Sequence, residues 1–254
     1  MIAAASSAAA GPTFGSSRLG WVMIAFAFGA TVINYLDRQT LSVAAPILTQ
    51  EFRMNDETSG LILVAFMLAY TIMNGLSGPF IDRVGTKLGY ACCMAWWATA
   101  SLLHMFARGP LSLGAFRFLL GVGEAGNWPA AVKLVSEWFS AKERALASGI
   151  FNSGAAIGAV AAPPLISWIV LRWGWQRAFA ATGALGYVWL IGWWSIYRVP
   201  APAAHVAPEQ RIPVLQLLRT RFVPSFTLAK AFLDPVYRDQ AERLDAARLL
   251  SRRN

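Results

Sequence analysis

The sequence predicts an all-α membrane protein with six spanning helices, and three observations carry that expectation. Charged residues make up 14% of the 254-residue chain and hydrophobic residues 56%, whereas a soluble domain carries about 25% charge. Several apolar runs reach the roughly 20 residues a helix needs to cross a bilayer. The connections between them are short, polar and marked by Lys and Arg. The formal charge of +9 therefore reads as loop charge at a membrane surface, and no nucleic-acid partner is expected.

Residues 1–17, MIAAASSAAAGPTFGSS, are rich in Ala and Ser and have no basic n-region. They read as a disordered cytoplasmic N-terminus, not as a cleaved signal peptide. A six-helix transmembrane domain follows over 18–198. Its spans are expected at 19–48, 58–81, 87–106, 111–139, 145–170 and 177–197. Gly and Pro interrupt several of them, which membrane helices tolerate when neighbours re-satisfy the backbone. In span 5, Gly154 and Gly158 form a GxxxG within GIFNSGAAIGA, a spacing that suits close approach of two helices. Trp21, Trp138, Trp168, Trp173 and Trp175 cluster near span ends, as an aromatic belt predicts. Cys92 and Cys93 are adjacent in an apolar helix, where disulfide geometry is not readily met, so no redox role is read from them.

Past span 6, residues 199–221 form a Pro-rich stretch that reads as a cytoplasmic linker. Residues 222–236, FVPSFTLAKAFLDPV, look like the start of an incomplete seventh span. The polar tail 237–254 is charged throughout and unsuited to lipid. That abrupt change reads as a truncation or frameshift. Orientation follows from the connections: Arg18, Arg83, Lys87, Lys142, Arg144, Arg198, Arg211, Arg219 and Arg221 fall on one side, against Arg53, Arg108, Arg172 and Arg177 on the other. The richer side is expected to be cytoplasmic, and the N-terminus with it.

One stretch of span 1, INYLDRQT, places Asp37 beside Arg38 where lipid is expected. Each charge costs about 2.5–3.5 kcal/mol at a helix centre, and each Leu or Ile returns only about 0.3–0.6 kcal/mol. Such charges must face a wet cavity or bonding partners. Successive helical residues point about 100° apart, so the two are expected to find different partners. Glu124, in mid-span 4 with no basic neighbour in sequence, is the natural third member. Desolvation favours the protonated form of such a carboxyl, which suits proton uptake and release. Arg38 keeps its proton and presents a fork that matches a carboxylate. Arg38 is thus the candidate for an anionic substrate, with Asp37 and Glu124 as candidate proton carriers. His104, near the end of span 3, reads as interfacial.

The connection between spans 2 and 3, GPFIDRVGTK, matches G-x-x-x-D-R-x-G-x-[RK] at Gly78, Asp82, Arg83, Gly85 and Lys87. With RFLLGVGEAG in span 4 and WFSAKERALASG after it, containing Arg144, this resembles the major facilitator superfamily. NYLDRQTLSVAAP and GEAGNWPA resemble its anion:cation symporters, and ASGIFNSGAAIGA and TGALGYVWLIGW its hexuronate (galacturonate/glucuronate) transporters. The resemblance implies the six-helix N-terminal half of a major facilitator fold, built as two inverted three-helix repeats. It implies proton-coupled symport of a hexuronate or related sugar acid across the bacterial inner membrane, with no cofactor or metal. Implied too are a gating role for Asp82, which binds a helix end in the other half, and need of a C-terminal six-helix half absent here. Tyr35, Tyr70 and Asn152, and with them Asn74, are candidates to contact sugar hydroxyls; Asn127 and Trp128, just past Glu124, either shape the pocket or end a helix turn before Pro129. The chain alone is expected to be inactive. Two alternatives stay open, a non-transporting remnant or regulatory half, and a membrane-embedded enzyme using Asp37 and Glu124. Against the latter, no G-x-S-x-G, H-E-x-x-H or P-loop is present, and no enzymatic activity is expected.

Overall fold

The computed structural model describes residues 18–198, all of them helix or short connection. The readings made for 1–17, the linker, the seventh span and the polar tail lie outside the described residues. Seven α-helices follow in chain order: α1 (Arg18–Glu51), α2 (Asp56–Val84), α3 (Thr86–Leu103), α4 (Pro110–Glu124), α5 (Asn127–Trp138), α6 (Arg144–Trp173) and α7 (Trp175–Ile196), with a 3₁₀ turn at His104–Phe106. α1, α2, α6 and α7 are long and apolar enough to cross a membrane. The predicted spans 3 and 4 are covered by α3 with its 3₁₀ extension and by the pair α4 and α5.

The break between α4 and α5 departs from the single span expected over 111–139. Gly126 N–H donates back to Gly123 O at 3.2 Å, a tightened turn in which both Ala125 and Gly126 keep right-handed helical angles. Pro129 has no N–H to offer the carbonyl four residues earlier, that of Ala125. The Ser77 hydroxyl of α2 approaches that carbonyl at 3.4 Å instead. The helix is thus interrupted directly after Glu124.

Packing repeats itself between the two halves of the bundle. α1 makes its main contact with α6, α2 with α4, and α3 with α7. Exchanging spans 1–3 for spans 4–6 turns the first of these pairs into the second and returns the third to itself. The connections repeat as well. Gly85, before α3, has φ 84° and ψ 157°, and Gly174, before α7, has φ 88° and ψ 162°. That backbone region is open essentially to glycine alone. Each of these glycines also donates its N–H to the carbonyl four residues earlier, at 2.9 Å. This is the geometry of two three-helix repeats.

Small residues set the helix spacing. A Cβ added at Gly154 would lie 2.7 Å from Phe28 O, and one at Gly158 would lie 2.8 Å from the Tyr35 Cβ. The GxxxG of α6 is therefore where α1 lies against it. Across α2 and α4, a Cβ at Gly121 would reach 2.6 Å from Phe66 O, the matching seam of the other repeat. Several connections meet at one end of the bundle. Thr86 Oγ1 donates to Glu137 Oε1 at 2.7 Å, Tyr197 OH reaches Glu137 Oε2 at 3.5 Å, and Trp21 meets Phe139 with ring centroids 4.9 Å apart. These contacts bring the Arg18, Arg83, Lys87, Arg144 and Arg198 ends together. At the opposite end Trp175 Nε1 donates to Glu51 Oε2 at 2.7 Å.

Candidate functional site: a charged layer between two apolar cores

Buried apolar side chains form two clusters. One runs on α1 from Met23 to Ile33 and the other from Leu36 to Leu48. Asn34, Asp37 and Arg38 of α1 fall where the two meet. Arg38 Nε donates to Glu124 Oε2 at 2.8 Å, joining α1 to the last residue of α4. Glu124 is fully buried, while the Arg38 side chain keeps 30% of its surface exposed. Three aromatic rings surround the guanidinium: Tyr70 at 4.6 Å from its central carbon, Phe66 at 5.3 Å and Tyr35 at 5.7 Å. Phe66 and Tyr70 stack on one another. Cation–π attraction and a charge-assisted hydrogen bond thus hold one cation while leaving part of its surface uncovered by this chain.

Asp37 points elsewhere, as the helical angle between neighbours requires. It is buried, and its Oδ1 accepts from Ser101 Oγ at 2.6 Å. Ser101 lies 3.0 Å from the Thr182 hydroxyl, so one carboxylate oxygen ties α1 to α3 and α7. Among the described residues neither the other oxygen, Oδ2, nor Glu124 Oε1 has a hydrogen-bond partner within 3.5 Å. Each carboxyl therefore has one oxygen hydrogen-bonded to a neighbouring helix, Asp37 to α3 and Glu124 to α1.

Three residues join this layer that the sequence reading did not assign to it. Arg117 is buried on α4, two turns before Glu124 and on the same face. Its Nε and Nη2 lack partners among the described residues, its guanidinium lies 5.6 Å from the Phe179 ring, and it is within electrostatic reach of Glu124 and Asp37. The sequence shows it only as the Arg of a motif; its seven-residue spacing from Glu124 was the available signal. Ser101 and Thr182 carry no sequence signal, since hydroxyls are ordinary in membrane helices. His104 corrects the interfacial reading. It is fully buried, stacked on Phe179 at 4.7 Å, with Nδ1 2.7 Å from Ala100 O. The 3₁₀ turn that ends α3 folds its ring inward.

The other candidates separate. Tyr35 and Tyr70 flank Arg38. Asn152 is half-buried on α6, its Oδ1 buried without a partner. Asn74 is exposed. Asn127 sits inside the bundle, accepting from Tyr90 OH at 2.6 Å and donating to Thr31 Oγ1 at 3.3 Å. At the basic end, Asp82 Oδ1 pairs with Lys133 Nζ of α5 at 2.9 Å, and the same ammonium donates to Ile81 O at 3.0 Å. Arg144 donates to Ser136 O and Phe139 O, capping the end of α5. Gly78 and Gly85 have open space around their Cα atoms, and Arg83 is exposed.

Residues 27–237 match the profile of the Major Facilitator Superfamily. The chain is 39% identical over 193 residues to the hexuronate transporter of Escherichia coli strain K12, a match covering 76% of this chain and 45% of that protein. It is 38% identical to the galacturonate transporter of Dickeya chrysanthemi, over 78% of this chain and 57% of the relative. With the D-galactonate transporter of Escherichia coli O6:H1 it shares 33% identity, over 72% and 43%. The chain spans about half the length of the curated relatives it matches. In fold it resembles a crystallised bacterial homologue of the human lysosomal transporter Spinster, inward-facing and unoccupied, with TM-score 0.67 and 22% identity over 79% of this chain and 47% of that one.

Proposed function

The chain belongs to the major facilitator superfamily, a family of transporters and not of enzymes, and from that premise we propose that it forms the first six-helix half of a proton-coupled symporter for an organic anion. The substrate class is a hexuronate or a related sugar acid. Arg38 binds the carboxylate; Tyr35, Tyr70 and Asn152 meet the hydroxyls; Asp37 and Glu124 carry the proton. The whole works by alternating access, in which a second six-helix half rocks against this one. The protein sits in the bacterial inner membrane with the Arg18 end on the cytoplasmic side. Gly78, Asp82, Arg83, Gly85, Lys87 and Arg144 form the gate at that end.

The observation that carries this reading is the Arg38–Glu124 pair at 2.8 Å. A substrate carboxylate arriving at Arg38 meets Glu124 as a competitor for the same guanidinium. A proton on Glu124 removes the competing charge and frees the guanidinium for the substrate. Proton and anion therefore raise each other's affinity, and this reciprocity couples the two fluxes.

The test uses cells producing this chain together with the second half of the E. coli hexuronate transporter. Uptake of labelled galacturonate should rise as external pH falls and should be lost in Arg38→Ala. Uptake that persists undiminished in Arg38→Ala would overturn the assignment.

A further inference from the structure

We propose that the groove between α3 and α7 binds an anionic phospholipid, its phosphate at Lys87 and Arg198 and its acyl chains laid along α3. The proposal needs only that these helices cross a bilayer; it shares Lys87 with the proposed gate, and its test reads lipid retention, not uptake. The groove has a volume of about 540 Å³, and its lining includes Leu88, Ala91, Ala95, Leu190, Ile191 and Trp194. Ala91 and Ala95 leave a depression that the larger side chains of α7 wall on one side. From Lys87 to Ala95 the groove runs about 12 Å along α3. That depth lies within the roughly 15 Å of hydrocarbon in one leaflet, as an acyl chain descending from a headgroup requires. A second groove of about 480 Å³ shares Cys92 and Ala95 and continues along α3 to Leu103, a path for a second chain.

The headgroup end carries cations that have no ion-pair partner among the described residues. Lys87 Nζ stands 5.1 Å from the centre of the Trp194 ring, an aromatic of the kind that sits at headgroup level. Trp193 Nε1 donates to Lys87 O at 3.0 Å, stitching the start of α3 to the end of α7. Arg198 follows α7 at the same end and is exposed. Neither Lys87 nor Arg198 takes part in an ion pair among the described residues. Lys87, held over the groove-lining Trp194, with Arg198 following α7 at the same end of the bundle, matches a phosphodiester with a fatty tail. The Arg38 layer, by contrast, faces α1, α2 and α4.

Native mass spectrometry of the full chain, extracted from bilayers of equal phosphatidylglycerol and phosphatidylcholine, tests this. One phosphatidylglycerol should be retained in preference to phosphatidylcholine. Lys87→Gln should lower its retention about fivefold, Lys87→Arg should restore it, and Lys142→Gln on the α5–α6 connection should not change it. Ala95→Trp, which fills the groove and leaves both cations, should also lower retention. Equal retention of the two lipids would overturn the proposal, as would unchanged retention in both Lys87→Gln and Ala95→Trp. Displacement of the lipid by millimolar inorganic phosphate would likewise overturn it, by pointing to a free-anion site.

Discussion

Replacing Gly158 by Ala probes the seam between α1 and α6. The added Cβ would lie 2.8 Å from the Tyr35 Cβ and 2.9 Å from Val32 O, whereas carbon atoms rest about 3.5–4.0 Å apart. The contact is with backbone and a Cβ, neither of which can swing aside, so the helices must separate by roughly 1 Å. Overpacking of this kind costs about 1–3 kcal/mol. Ala favours the helix over Gly by about 0.8–1.0 kcal/mol, which masks part of the loss in a single measurement. Gly149→Ala removes that ambiguity. It lies in the same helix with open space around it, so it records the propensity gain alone. The two variants should therefore differ by the clash energy, about 1–3 kcal/mol, with Gly149→Ala the more stable. Denaturant unfolding in micelles, followed by tryptophan fluorescence and far-ultraviolet circular dichroism, reads that difference. Equal stability of the two variants would refute close packing of α1 on α6 at this point.

Three further perturbations follow from the geometry. Gly85→Ala and Gly174→Ala should each destabilise by about 1–3 kcal/mol in the same assay; Gly85 has nothing within 4 Å of an added Cβ, so a neutral result there would deny the backbone strain. In the hybrid uptake system Asp37→Asn and Glu124→Gln should both reduce galacturonate accumulation and flatten its pH profile, and profiles unchanged in both would refute the coupling roles. Lys133→Ala should cost about 1 kcal/mol, because the ammonium also holds the Ile81 carbonyl near the end of α2. Asp82→Ala should cost less than about 0.5 kcal/mol, since its carboxylate is 68% exposed; equal losses would show that the ion pair, not the carbonyl contact, matters.

The gaps between sequence and structure lie at identifiable residues. Six spans were legible because length and apolarity are local properties, and Pro129 was visible as a place where a helix turn could end, yet sequence alone did not place the break directly after Glu124. It depends on the Pro129 ring and on the Ser77 hydroxyl approaching from another helix. The unusual cost of Asp37, Arg38 and Glu124 in lipid marked them without any structure. Their partners were another matter: Arg38 and Glu124 are 86 positions apart in the chain, and nothing local says which carboxylate an arginine will meet. Arg117 could have been read from its spacing to Glu124, whereas Ser101 and Thr182 could not, because isolated hydroxyls are common in such helices. His104 was misplaced because a residue at a span end may face outward or inward, and only the turn of the chain decides.

Composition, periodicity and the energy of charge in hydrocarbon thus determined that the chain crosses a membrane, roughly where, and which side chains need an explanation. Those quantities are sums over neighbours in sequence. The tertiary structure decided which carboxylate Arg38 meets, which helices touch through glycine, and which charged residue the bundle leaves partly uncovered. These depend on approach between helices to within an ångström, and that is set by side chains far apart in the chain.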